Sequence, residues 1–333
     1  MWRCPNFMGE TTTISITYRR FQLMEDYVTL AKIWNESYTN DKRSKVEWWA
    51  RDKELNTDAT AQRWVAEVDG VILGVSGYET FGAEFYQPHN YVGYVTVHPV
   101  LRNLGVGNEL YKRLMCDLLE REPQAVFVWT RADYSDGKKL LNKNGFAEVF
   151  RLQHGRLNVV SFNRDEFLRY EKRLAREGYS FQVFEFRDDE ERKCAEFYQL
   201  YCALKTAVPA IMPWQNPDYE DFIEQIRDSS ANTVRYYVAL QKGEFVGICI
   251  LRRRDNDENE YYTELLGVKD SHRWRGVGIG LSVAAISGVK ELDCQVISQD
   301  NFLDNRGILP VLRQLGFISE PDWILYKREF PQV

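Results

Sequence analysis

Two copies of one short element constrain this chain more than anything else in it. The stretch Val268-Lys269-Asp270-Ser271-His272-Arg273-Trp274-Arg275-Gly276-Val277-Gly278-Ile279-Gly280-Leu281 follows an apolar run, Leu265, Leu266 and Val268. Behind it comes a second run of small and apolar residues, Leu281, Ala284, Ala285, Gly288 and Leu292. The first run predicts the end of a buried strand. The second repeats at three and four residues and predicts one face of a helix. Between them lies an Arg-x-x-Gly-x-Gly turn, whose glycines permit positive φ and let a ligand approach the main chain. A helix starting there offers unpaired N–H groups and the positive end of its dipole, a ready anion site.

The other copy is Val97-His98-Pro99-Val100-Leu101-Arg102-Asn103-Leu104-Gly105-Val106-Gly107-Asn108, with the stripe Leu110, Tyr111, Leu114, Met115 and Leu118 behind it. Val97, Arg102, Gly105 and Gly107 each recur 171 positions later, and so do Gly145-Phe146, as Gly316-Phe317. A chance glycine turn would not hold register with a distant dipeptide, so the chain is an internal duplication. Its 333 residues suit two domains. The expected division is a tail over 1–13, a first domain over 14–163, a linker helix over 164–178 and a second domain over 179–333.

A net charge of −6 argues against a general nucleic-acid binder. The one dense basic run, Arg252-Arg253-Arg254, is followed by Asp255, Asp257, Glu258 and Glu260 and reads as a solvated hairpin tip. The six cysteines show no Cys-x-x-Cys spacing, which is cytoplasmic usage, and the four histidines make no metal spacing. No apolar stretch of about 18 residues suggests a membrane span, and residues 1–13 lack the apolar core of a signal peptide.

Strand and helix signals alternate within each half. Trp64–Val68 and Val71–Tyr78 read as a hairpin about Asp69-Gly70, and Val234–Leu240 and Phe245–Arg252 as another about Lys242-Gly243. Phe146–Gln153 and Leu157–Phe162 look like a closing hairpin about His154-Gly155, and a helix is expected over Asn305–Gln314. The fold class is therefore mixed α/β, two similar domains each with a mainly antiparallel sheet flanked by helices.

Neither turn fits the common phosphate loops. A dinucleotide fingerprint needs Gly-x-Gly-x-x-Gly, and both turns carry leucine at the third glycine position, Leu110 and Leu281. A P-loop needs Gly-Lys-Ser/Thr, also absent. The turns instead resemble the signature of the GNAT superfamily of acyl-CoA-dependent N-acyltransferases, Arg/Gln-x-x-Gly-x-Gly/Ala between a strand and a helix. Asp300-Asn301…Asn305 before Leu315-Gly316-Phe317 is similar to that family's later asparagines and Gly-Phe. Phe162-Asn163…Gly178 looks like the linker of bacterial tandem members.

The resemblance implies acetyl-CoA, with its diphosphate on the main chain of Leu104, Gly105, Val106, Gly107 and Asn108, or of Arg275, Gly276, Val277, Gly278 and Ile279. Arg102 and Arg273 belong to the same turns, and the pantetheine arm would lie along Val97, or along Leu266 and Val268. A backbone N–H of the preceding strand would stabilise the developing oxyanion, and a base would take the proton of the attacking amine. Glu264, on the second such strand, is the candidate base; Glu79 and Glu84 are its first-half rivals. Asn301 and Asn305 are candidates for ordering water or the pantetheine amides, and Asn305 also fits a helix N-cap. Leu141 and Leu312 stand where many members carry a tyrosine that protonates the leaving thiolate, so no general acid is assigned. The asparagines single out the second half as the more active.

Trp34, Tyr198 and Trp214 are candidate acceptor-pocket aromatics. The reading is a cytoplasmic N-acetyltransferase for a primary amine of a small molecule such as an amino sugar, polyamine or amino-acid derivative. It would be a monomer or homodimer, with no metal, nucleic acid or membrane partner. The alternatives are a non-catalytic acyl-CoA sensor or scaffold, and a protein or peptide N-acetyltransferase.

Overall fold

Both apolar runs before the glycine turns are strands, and both stripes behind them are helices, in a computed structural model. It describes residues 15–22, 25–38, 42–54, 62–80, 87–186, 191–208, 214–228, 233–254, 257–303, 305 and 307–331. The expected tail over 1–13 and Glu84 lie outside the described residues.

The elements in chain order begin with β1 (Thr17–Arg20), α1 (Tyr27–Ser37), α2 (Lys45–Glu54), β2 (Gln62–Val68), β3 (Val71–Thr80) and β4 (Asn90–Val97). The first turn leads into α3 (Val106–Leu119), then β5 (Ala125–Arg131), α4 (Ser135–Lys143) and β6 (Ala147–Asn158). After α5 (Leu168–Arg176) come β7 (Tyr179–Val183), α6 (Glu191–Thr206), α7 (Tyr219–Asp228), β8 (Val234–Gln241), β9 (Glu244–Arg254) and β10 (Asp257–Val268). The second turn opens α8 (Val277–Lys290), followed by β11 (Val296–Phe302), α9 (Leu309–Leu315), β12 (Ile318–Ser319) and β13 (Trp323–Glu329). Each sheet is antiparallel except where β4 meets β5 and β10 meets β11, the two parallel pairs that flank a crossover helix. The fold is thus the mixed α/β class expected, duplicated.

By contact the chain groups into two compact units. The first holds residues 1–80, 88–128 and 329–333, and the second 81–87 and 129–328. In the first the strands run β1-β2-β3-β4-β5. Val106 and Leu110 of α3 pack on Ala66. Across the sheet, α1 and α2 bury Trp34, Trp48 and Tyr94 in edge-on and tilted contacts.

Beneath α2, Arg63 pairs with Asp52 and also donates to the Tyr94 hydroxyl, while Tyr27 donates to the same aspartate at 2.6 Å. Burial opposes the charge on Arg63, but Tyr94 and Asp52 more than offset it and hold its pKa above the ordinary value. The Arg63 and Asp52 side chains are 2% and 11% exposed. Asp52→Ala would leave the buried guanidinium without its counter-ion, at a cost of about 3–5 kcal/mol. A lowered urea midpoint is the expected reading, and an unchanged one would contradict this account.

In the second unit the order is β13-β6-β11-β10-β9-β8-β7. One face is covered by α8 and α5, around Leu281, Val283 and Leu174. The other face is covered by α6 and α7, around Phe197, Phe222 and Ile248. Here β6, from the first half of the sequence, lies between β11 and β13 of the second half. The sequence repeat follows the chain, whereas the compact units follow which strands pair.

Three local expectations are corrected. The hairpin about His154-Gly155 is one strand, because Gly155 pairs with Gln299 on one side and Ser319 on the other. The basic run is no hairpin tip: β9 extends to Arg254, and Arg252 and Arg254 are paired with carboxylates of β10. The helix expected from Asn305 begins at Leu309, and the Asn305 carbonyl instead accepts the Ile308 N–H at 3.3 Å.

Candidate active site

The two turns are near copies. Gly105 and Gly276 start their helices at φ +87° and +81°, a left-handed backbone that suits glycine. Arg102 Nε donates to the Val97 carbonyl at 3.0 Å, and Arg273 Nε to the Val268 carbonyl at 3.0 Å. The repeated arginine therefore ties the turn back onto the end of the strand before it. A Cβ on Gly107 or Gly278 would meet only a Val97 or Val268 methyl, at 3.7 and 3.8 Å.

Val106, Val277 and Ile279 bury their side chains, so any ligand would meet them through the main chain. Leu104, Asn108 and Arg275 are exposed. Neither α3 nor α8 has a side-chain cap on its first N–H groups. Both helix starts fit a diphosphate by that measure.

The strands before the turns differ. β4 pairs with β3 in unbroken register from Gly74–Val97 to Thr80–Tyr91. β10 pairs with β9 at Thr263–Leu251 and then at Leu265–Ile250, so Glu264 is the extra residue of a β-bulge. Its carboxylate accepts from Arg252 Nε at 2.8 Å. Burial first, then the nearby Glu264 charge, push the Tyr236 hydroxyl above its ordinary pKa, so it stays protonated. Register makes the contrast between halves concrete. Arg63–Gly77–Tyr94 forms one cross-strand row, and Tyr236–Ile250–Leu265 forms the matching one. The first row is filled by its own ion pair, the second is not.

β10 and β11 pair only at Glu260–Val296, Tyr261–Ile297 and Tyr262–Ser298. Beyond those pairs lies a void of about 10 Å³ beneath α8 and α9, room for roughly one water, lined by residues including Cys249, Thr263, Leu266, Gln299, Leu312 and Phe317. Asn301 sits on β11, 6% exposed, and accepts from Gln299 Nε2 at 3.2 Å. Its Nδ2 is buried with no partner among the described residues, a donor that suits a carbonyl of a bound chain. Asn305 is half-buried in the turn before α9. Leu141 and Leu312 are both buried, and Leu312 lines the void.

Of the aromatic candidates, Trp34 belongs to the first unit, and Tyr198 and Trp214 pack against one core cluster of the second. Trp34 is core in the first unit, 5.1 Å from Trp48 ring to ring. Tyr198 donates to the Pro217 carbonyl at 2.5 Å and packs on Tyr219. Trp214 is half-buried near Tyr201, with Lys205 Nζ 4.9 Å from its ring centroid. Glu79 is buried on β3.

Sequence reasoning missed Arg252, read as a hairpin tip. Nothing local marked it, since β9 is a continuous buried run up to Leu251 and then three half-buried arginines. Among the described residues no group of three metal-ligating side chains exists, and no helix is long and apolar enough to cross a membrane.

Burial pushes the Cys249 thiol up to about 12, and burial likewise pushes Cys294 up to about 11. At pH 8 only about one Cys249 in ten thousand would be a thiolate. A disulfide reagent at that pH should label the exposed Cys116 and spare both buried thiols until the protein is denatured; native-state labelling of Cys249, read by mass, would contradict this.

A family model described as the acetyltransferase (GNAT) family matches residues 24–146 and again residues 194–317. No curated protein matches the chain in sequence. Among solved structures, a GCN5-related N-acetyltransferase from Sphaerobacter thermophilus is 16% identical, over 96% of this chain and 98% of that one, with a TM-score of 0.70. A tandem GNAT protein from the clavulanic acid biosynthesis pathway is 14% identical, over 96% of this chain and 100% of its own, with a TM-score of 0.69. These two likenesses concern the fold.

Proposed function

Since the chain belongs to the acetyltransferase (GNAT) family, we propose that its second half transfers an acetyl group from acetyl-CoA to a primary amine of a small molecule. The observation that carries this reading is the bulge at Glu264, present in β10 and absent from β4. A bulge takes one residue out of the ladder, which leaves main-chain N–H available for charge developing on an acyl oxygen. The same bulge places a carboxylate beside that point. Glu264 is the base that takes the amine proton, and Arg252 holds it in place.

The bound thioester supplies the acyl group. Its arm lies along β10 beyond the last β10–β11 pair, with Asn301 Nδ2 as donor. Transfer is direct: the amine nitrogen bonds the acyl carbon, the amine proton passes to Glu264, the carbon–sulfur bond breaks, and the sulfur departs as a thiolate that solvent protonates. Cys249 lines the void beneath α8 and α9, but burial keeps it a neutral thiol and so a poor relay nucleophile. In the first half the Arg63–Asp52–Tyr94 network occupies the matching row, which supports a binding or scaffolding role there. Asn305 serves as a water-ordering residue.

Release of free thiol, assayed over a panel of amino sugars, polyamines and amino-acid derivatives, tests the reading. Tight CoA binding with no turnover on any amine would favour a sensor instead. The buried leucines at 141 and 312 are the observation in that reading's favour.

A further inference from the structure

The second turn has a neighbour that the first lacks. Arg173 on α5 donates from Nη2 to the Arg275 carbonyl at 2.7 Å. The same nitrogen lies 2.8 Å from the place of a Cβ on Gly276, and the Tyr170 ring lies 3.3 Å from it. The Tyr170 hydroxyl accepts from Gln314 Nε2 on α9 at 2.6 Å, which ties α5 to α9. At Gly105 the equivalent point meets nothing within 4 Å among the described residues.

The Arg173 side chain remains 49% exposed. A guanidinium has five N–H donors in a planar fork that matches phosphate oxygens. Arg173 thus places a guanidinium beside the start of α8, with Lys269, Arg273 and Arg275 nearby; Glu177 lies 3.8 Å from Arg173 Nη1 and Asp270 2.9 Å from Arg273 Nη2.

Trp274 is the second peculiarity. It stands within the turn, 82% exposed, at φ +63°. Asn103 occupies the matching place at the same φ, and asparagine tolerates that backbone where a bulky residue rarely does. The indole is left largely to solvent and presents a flat π face in a turn that carries Lys269, Arg273 and Arg275. Such a face suits a purine.

We propose that Arg173 and Trp274 grip the nucleotide end of an acyl-CoA at the second turn, the guanidinium on the diphosphate and the indole against the purine. This rests on the reading that the second turn takes acyl-CoA. It adds that the helix joining the two sequence halves is part of the coenzyme site. It also implies that the first turn, lacking both groups, holds the nucleotide more weakly.

Calorimetry on the full chain tests this, with CoA and pantetheine as paired probes. Gly105→Val is included so that only the second turn is read. Arg173→Ala should weaken CoA binding about ten-fold or more, and Trp274→Ala about five-fold or more. Pantetheine, which lacks the nucleotide, should bind both variants as it binds the parent. Arg173→Lys should recover part of the loss, since it restores charge without the planar fork. Parent-like CoA affinity in both alanine variants would overturn the inference and leave the acyl-CoA reading standing. Equal losses for CoA and pantetheine, with a lowered thermal midpoint, would also overturn it, by assigning Arg173 a purely structural part. A parent that binds no CoA would remove the reading on which it rests, and the inference with it.

Discussion

Gly276→Val is expected to abolish coenzyme binding at the second turn and, with it, turnover. The residue sits at φ +81°, where a β-branched side chain costs on the order of 1–3 kcal/mol. Its Cβ would also stand 2.8 Å from Arg173 Nη2, so that side chain must swing away and give up its bond to the Arg275 carbonyl. Relief of the backbone strain displaces the main-chain N–H groups of the helix start and removes their aim at an anion. Gly105→Val carries the same backbone penalty at φ +87° but meets open space. With the second half as the catalytic one, Gly105→Val keeps most of its rate and loses only the contribution of the first turn to binding. Calorimetry with CoA and thiol release, run on both variants, read the two effects separately. Parental binding and rate in Gly276→Val would defeat the assignment of the turn.

Changes at the bulge should be nearly as large, and they separate two roles of one residue. Glu264→Gln preserves the extra residue and its hydrogen-bonding shape but cannot accept a proton. A fall in kcat of about 10²–10⁴-fold is expected, with CoA affinity unchanged. Deleting Glu264 would restore the unbroken register seen in β4 and remove the freed N–H as well. That loss alone is worth about 10²–10³-fold, so the deletion should be slower than the glutamine variant. Should Glu264→Gln turn over at the parental rate while the deletion does not, the bulge would be catalytic and the carboxylate would not be the base.

The contrast between the two halves explains why some of this was legible and some was not. The turns were readable because a strand end, a glycine turn and a helix start are contiguous in sequence, and their periodicities change at the turn itself. Duplication then removed the ambiguity of a single match. Glu264 could be picked out as a strand carboxylate, but its being an extra residue could not. A bulge exists only relative to a partner strand, and β9 supplies that partner. Arg252 was misread for the same reason, since its partner Glu264 lies on β10. Trp34 looked like a pocket aromatic and is core, because Trp48 and Tyr94 close on it from other elements.

What the residue order determined by itself was the family, the duplication, the α/β class and the place of each anion-ready helix start. All of these depend on patterns within a few turns of chain, where propensity and periodicity act locally. What only the tertiary structure decided was which strands pair, which half carries the bulge, and which turn receives Arg173 from the linker. β6 leaves its own repeat to lie between β11 and β13, and α5 reaches a turn a hundred residues onward, Arg173 against Arg275. Such contacts are set by the burial of whole faces and the pairing of distant main-chain groups, and no local pattern records them.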